Sequence, residues 1–212
     1  MPVIYIDLDG TLLDVWFRYY TIMRTFFDSV HLPFISLDDY KRLKWRWVQD
    51  EAIIQHATKD QPLAAHELVP SYQVWKRERL ESQALLQWDE PIGQLHAFAA
   101  RLKPAYRLNL ISVRRDHEAA RRQLQELNMM APFERIDWVS PSRERNPKWE
   151  ALKNRADRGD LIVGDSETDI GCGSMLGLRS FHVQTGLRSF EYAARHGHAI
   201  KLQQYDDILS YL

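Results

Sequence analysis

The apolar run Val3-Ile4-Tyr5-Ile6 stops abruptly at Asp7-Leu8-Asp9-Gly10-Thr11, and this junction constrains the fold more than any other segment of the chain. An apolar run bounded by turn residues reads as a buried strand. Carboxylates at its C-terminal end fall where open α/β sheets hold their ligands. Alternation along an extended chain directs Asp7 and Asp9 to the same side. Turn chemistry by itself accounts for Asp and Gly at such a place. It does not account for two like charges converging at a strand end, which call for a cation or a shared proton; a divalent metal is the natural complement.

A second apolar run, Leu161-Ile162-Val163-Gly164, is followed by Asp165-Ser166-Glu167-Thr168-Asp169. A helix beginning just after Asp165 puts Asp169 in its first turn, within reach of the same cation directly or through another ligand. Helix capping is the alternative for these residues, since Ser or Asp before a helix and an acid in its first turn stabilise it without any chemistry.

Together the two segments resemble the first and fourth motifs of the haloacid dehalogenase-like hydrolase superfamily, Asp-x-Asp-Gly-Thr and Gly-Asp-x-x-x-Asp. Leu108-Asn109-Leu110-Ile111-Ser112 is similar to the family's second motif, a hydroxyl residue at a strand end. Asn146-Pro147-Lys148-Trp149-Glu150 is similar to its third, a lysine near a helix start. The segments occur in the family's order, and residues from about 15 to 90 match no motif.

The resemblance implies a magnesium-dependent phosphatase acting on a small phosphorylated molecule. Asp7 is then the nucleophile that forms an aspartyl-phosphate. Asp9 is the acid for the departing alkoxide and the base for the hydrolytic water. The implied metal ligands are Asp7, the backbone carbonyl of Asp9, and Asp165, an oxygen-only set suited to Mg2+. Ser112 and Lys148 bind and neutralise the phosphoryl oxygens. Thr11 and Asp14 support the turn, and Asp169 orients the cation's ligands.

Arg114-Arg115 follows the second motif where a small or amide residue is commoner in the family. Arg114 is therefore expected to bind an anionic part of the substrate, since guanidinium groups suit phosphate and carboxylate; pairing with surface acids is the alternative for both arginines. Retention of Asp9 disfavours carbon–halogen cleavage. Phosphomutase activity, or a non-catalytic phosphate-ligand sensor on the same fold, are the alternatives to a phosphatase.

Residues 15–90 read as several helices. One carries Trp16, Phe17, Tyr20, Ile22, Met23, Phe26 and Phe27 and ends near Leu32-Pro33; others are expected over residues 37–54 and 71–86, with a break at Asp60-Gln61-Pro62. From residue 91 the pattern alternates. Helices are expected at 92–102, 116–127 and from 147; strands at 107–112, around Trp138, at 161–164 and at 180–183. Such alternation argues for a doubly wound, Rossmann-like α/β core with a parallel sheet. The expected organisation is a core of residues 1–14 and 91–212 with a helical insertion at 15–90, which the resemblance identifies with a cap that closes over the catalytic face. Most of its aromatics, Trp45 and Trp47 included, read as core.

At 212 residues with a net charge of −1, the chain has no overall basic field of the kind nucleic-acid binding uses. No apolar run approaches the ~18 residues of a membrane span. The first strand begins almost at once, so a secretory signal is not expected and a cytoplasmic location is. Cys172 is the single cysteine, which excludes an intrachain disulfide.

Overall fold

The computed structural model describes residues 1–59 and 62–212. The chain divides into two compact units, Met1–Asp14 with Glu90–Leu212, and Val15–Asp89. Among the described residues all strands lie in the first unit: β1 (Val3–Ile6), β2 (Leu13–Asp14), β3 (Glu90–Pro91), β4 (Arg107–Val113), β5 (Arg135–Val139), β6 (Leu161–Gly164), β7 (Arg179–Val183) and β8 (Ile200–Leu202). β2 and β3 form a short antiparallel ribbon. The other six make a parallel sheet of order β5-β4-β1-β6-β7-β8.

β1 is central, with Ile6 opposite Leu110 of β4 on one side and Val163 of β6 on the other. Every residue of β1 and of β6 is buried, which is why both read as unbroken apolar runs rather than as alternation. From β1 the sheet grows outward to β5; the chain then returns beside β1 with β6 and grows the other way to β8. The order therefore reverses between β1 and β6, the place where a doubly wound sheet opens a crevice beyond its strand ends.

The unit Val15–Asp89 is helical: α1 (Trp16–Ser29), α2 (Leu37–Trp45), α3 (Asp50–Ala57), α4 (Pro62–Arg79) and α5 (Gln83–Leu86). Tyr20, Met23 and Phe27 recur at three- and four-residue spacing on α1 and pack with Phe26, Tyr40, Ile53, Ile54 and Tyr72. The helix expected over 37–54 is two helices. Trp47 between them has φ +63°, a left-handed conformation that cannot continue a helix. Asp50 restarts the helix, its carboxylate held by Lys44 at 2.9 Å and Lys76 at 2.7 Å.

Of the break expected at residues 60–62, positions 60 and 61 lie outside the described residues. Pro62 opens α4, as proline can in a first turn. The helix then runs on through Pro70 instead of beginning at Ser71. An interior proline costs about 3 kcal/mol. Tyr72 buried in this unit's core, with Leu68, Val69 and Trp75 packed against it, offsets that cost.

The sheet carries α6 (Leu95–Leu102), α7 (His117–Glu126), α8 (Pro147–Leu152), α9 (Glu167–Leu176) and α10 (Phe190–Ala193). Val3, Tyr5, Ile111 and Ile162 share a core cluster with Leu152 of α8 and Cys172 of α9. Cys172 is thus a fully buried packing residue. No described helix is long and apolar enough to cross a membrane.

Candidate active site

The backbone N–H of Asp7 donates to the Val163 carbonyl at 2.9 Å, extending the β1–β6 ladder by one residue. The chain then curls. The Leu8 carbonyl accepts from the N–H groups of Thr11 (3.2 Å), Leu12 (2.9 Å) and Leu13 (3.0 Å), and Gly10 sits at φ +79°, where glycine alone is unstrained. Thr11 is fully buried inside this turn, whereas Asp14 is exposed. β1 ends at Ile6, just before the two acids. Asp7 enters a buried cluster of charged groups, and the Asp9 carboxylate accepts from the Arg114 guanidinium.

Lys148 reaches Asp7 from the opposite segment. Its Nζ donates to Oδ1 of Asp7 and to Oδ1 of Asp169, and only 2% of its surface is exposed. The local sequence aims it there. Asn146 caps α8, its side-chain oxygen accepting from the N–H groups of Lys148 (3.0 Å) and Trp149 (3.2 Å), and Pro147 is preset for the first turn. The Asn146 amide donates to the Thr168 carbonyl at 2.7 Å, tying the start of α8 to that of α9.

Asp165 follows β6 across the crevice from Asp7. Its Oδ2 accepts from the Leu187 N–H at 2.7 Å, and its carbonyl is bonded to His182 Nε2 at 2.9 Å. Glycine at 186 is a steric requirement, since a Cβ there would overlap the Asp165 carboxylate. Asp169 does two tasks. Its Oδ2 accepts from the Ser166 N–H (3.1 Å) and hydroxyl (2.6 Å) in a capping box, while Oδ1 takes the Lys148 ammonium. Capping and a place in the site, alternatives in the sequence, coexist.

Asp7, Asp165 and Asp169 each bring a carboxylate oxygen within 4.8 Å of the others, and all three are buried. Their oxygens are not equivalent. Both oxygens of Asp169 are engaged, whereas Oδ2 of Asp7 and Oδ1 of Asp165 take no hydrogen bond among the described residues. Electrostatics agrees. Burial pushes the Asp7 carboxyl up to about 7, with Asp169 and Asp9 adding to it against the pull of Lys148. Burial, Asp7 and Asp169 drive Asp165 well above the carboxylate range. Burial alone would discharge Lys148, but Asp169 and Asp7 hold it above the ordinary lysine value. One ammonium is too little charge for three buried carboxylates. A hard divalent cation fits this all-oxygen set.

Ser112, almost fully buried near the end of β4, lies two residues beyond the Leu110–Ile6 pair and so beside the Asp7 turn. Arg114 is 1% exposed, its guanidinium bonded to Asp9 and, at 3.2 Å, to Gln123 Oε1 on α7. Arg115 is exposed. Gln123, His182 and the Leu187 N–H are additions that sequence reading did not single out. Helical spacing of Gln123 on a buried face was the one available signal; a backbone N–H has no signature at all.

No protein-family model and no curated protein sequence matches the chain. Solved structures do. A haloacid dehalogenase-like family hydrolase of Streptococcus pneumoniae aligns at 18% identity and TM-score 0.69 over 100% of this chain and 98% of its own. A Clostridium difficile protein assigned as a phosphatase aligns at 19% and 0.71, covering 99% and 97%. A Thermotoga maritima protein assigned as a β-phosphoglucomutase aligns at 16% and 0.65, covering 100% and 98%. Parallel sheet, strand order and these alignments agree, and the chain has the fold of the haloacid dehalogenase-like hydrolases.

Proposed function

We propose that this protein is a phosphatase that hydrolyses small phosphomonoesters through an aspartyl-phosphate on Asp7, with Mg2+ as its cofactor. The observation that carries the reading is the pair of buried carboxylates, Asp7 and Asp165, each presenting an unengaged oxygen across the crevice between β1 and β6. Asp7, Asp165 and the Asp9 backbone carbonyl would hold the cation, with Asp169 orienting them through Lys148 and Ser166. When bound, Mg2+ neutralises the nucleophile and the phosphoryl oxygens it approaches.

The chain's own residues do the rest. An Asp7 oxygen attacks phosphorus, and the P–O bond to the leaving group breaks as Asp9 delivers a proton to the departing oxygen. Asp9, now ionised, takes a proton from the water that attacks the same phosphorus; inorganic phosphate leaves and Asp7 is regenerated. Lys148 and Ser112 stabilise the phosphoryl oxygens throughout. The unit Val15–Asp89 is assigned, on the family resemblance, the selection of the leaving group.

The test is phosphate release from a panel of phosphomonoesters with and without Mg2+, with Asp7→Asn as control. Mg2+-dependent release abolished by the substitution is the expected result. Retained release in Asp7→Asn, or none from any ester, would count against the assignment. A phosphomutase, the second reading on the strength of the mutase-like neighbour, would instead isomerise a sugar phosphate with little net release.

A further inference from the structure

Arg114 is expected from the sequence to meet an anionic group of the substrate; in the structure its guanidinium is bonded to Asp9 and Gln123. The residue is anchored at the end of β4, where its N–H donates to the Val139 carbonyl at 2.9 Å and prolongs the pairing with β5. Its side chain turns inward to 1% exposure, with NH2 shared between Asp9 Oδ1 and Gln123 Oε1. Gln123 is itself 5% exposed on the inner face of α7, a helix whose start is set by the Asp116 side chain accepting from Ala119 N–H at 2.9 Å.

We propose that Arg114 is a positioning residue: with Gln123 it holds the Asp9 carboxylate away from the Asp7–Asp165–Asp169 cluster, on the leaving-group side of the reaction. This rests on the reading of Asp9 as acid and base. In-line transfer places nucleophile and leaving oxygen on opposite sides of phosphorus. An acid two residues from the nucleophile therefore has to be kept apart from the cation that the nucleophile shares. Arg114 does this by giving the Asp9 carboxylate a buried, cationic partner of its own. The two N–H bonds of that one terminal nitrogen are fixed in the guanidinium plane and engage Asp9 and Gln123 together, which a lysine ammonium reproduces only in part.

The experiment measures kcat/KM, with saturating Mg2+, for phenyl, 4-chlorophenyl and 4-nitrophenyl phosphate. These esters are close in size and differ in how much the leaving oxygen needs a proton. Wild type, Asp9→Asn, Arg114→Ala, Arg114→Lys and Gln123→Leu are compared, with melting temperatures recorded. The expected result is that Arg114→Ala loses about tenfold more activity on phenyl than on 4-nitrophenyl phosphate. Its leaving-group dependence approaches that of Asp9→Asn, with Arg114→Lys and Gln123→Leu in between.

Parallel loss on all three esters, whatever the melting temperature, would overturn the assignment of Arg114 alone. Absence of Mg2+-dependent turnover in wild type, or its retention in Asp7→Asn, would remove the phosphatase reading and this inference with it. Should Arg114→Ala fail to fold, Arg114→Lys and Gln123→Leu decide the question by the same comparison.

Discussion

Replacing Lys148 with methionine removes the one ammonium bonded to Asp7 and Asp169 and keeps most of the side chain's volume. Breaking a buried ion pair by deleting one partner costs about 3–5 kcal/mol. A chain of this size loses about 2–4 °C of melting temperature per kcal/mol. Lys148→Met without divalent cation is therefore expected to melt roughly 6–20 °C below wild type at neutral pH. A cation held by the carboxylates replaces the missing charge, and saturation at a hundredfold over Kd contributes about 2.7 kcal/mol. Mg2+ should thus raise the variant's melting temperature more than the wild type's, while activity stays abolished.

The pH dependence has a definite sign. In the unfolded chain Asp7 releases its proton near the ordinary value of 3.8, whereas in the folded, cation-free protein burial keeps it protonated up to about 7. The folded state binds more protons across that window, so this group's contribution to stability falls as pH rises from about 4 to about 7. Lys148→Met should steepen the fall, and Mg2+ should abolish it. Thermal melts of both proteins in EDTA and in Mg2+, from pH 5 to pH 8, make the measurement. Equal melting temperatures for variant and wild type in EDTA at pH 8 would refute the account of the cluster.

Two further outcomes are expected. Gly186→Ala forces the Asp165 carboxylate to move, and on the proposed reading a displacement of about 1 Å there should cost on the order of a hundredfold in kcat/KM; Gly159→Ala, whose Cβ meets open space, is the control and should match wild type in the same phosphate-release assay. Asp50→Asn should destabilise the unit Val15–Asp89 by about 1.5–3 kcal/mol in denaturant titrations at pH 7. Burial alone would raise the Asp50 pKa, but Lys76 and Lys44 hold it well below the usual range. The pair's contribution is complete above about pH 4 and is lost as pH falls further, so variant and wild type should converge in acid.

The parts legible from the sequence were those written in side chains along a single segment. β1 and β6 announced themselves because strands buried on both faces are apolar without interruption, and the acids behind them marked the crevice. Lys148 was different: a lysine beside a proline is ordinary, and only the order of the motifs singled it out, since its partners Asp7 and Asp169 are 141 and 21 residues away in the chain. β2, β3 and β8 were not anticipated, because segments of two or three residues carry no period to detect. The interior Pro70 and the left-handed Trp47 misled in opposite directions, one by breaking no helix and the other by breaking one. Both outcomes are set by contacts distant in sequence, the packing around Tyr72 and the Lys44–Asp50–Lys76 bridge.

Asp9 is bonded to Arg114, not to Lys148. β1 ends at Ile6, three N–H groups fold back onto the Leu8 carbonyl, and the two acids of this short motif meet different partners. Asp7 meets Lys148 and Asp165's side of the crevice, between β1 and β6; Asp9 meets Arg114, from the end of β4 on the other flank of β1. The two acids at the end of the central strand thus meet separate cationic partners, one an ammonium and the other a guanidinium. Their counter-charges come from separate elements, Lys148 on α8 and Arg114 just beyond β4, so removal of one should leave the other pairing in place.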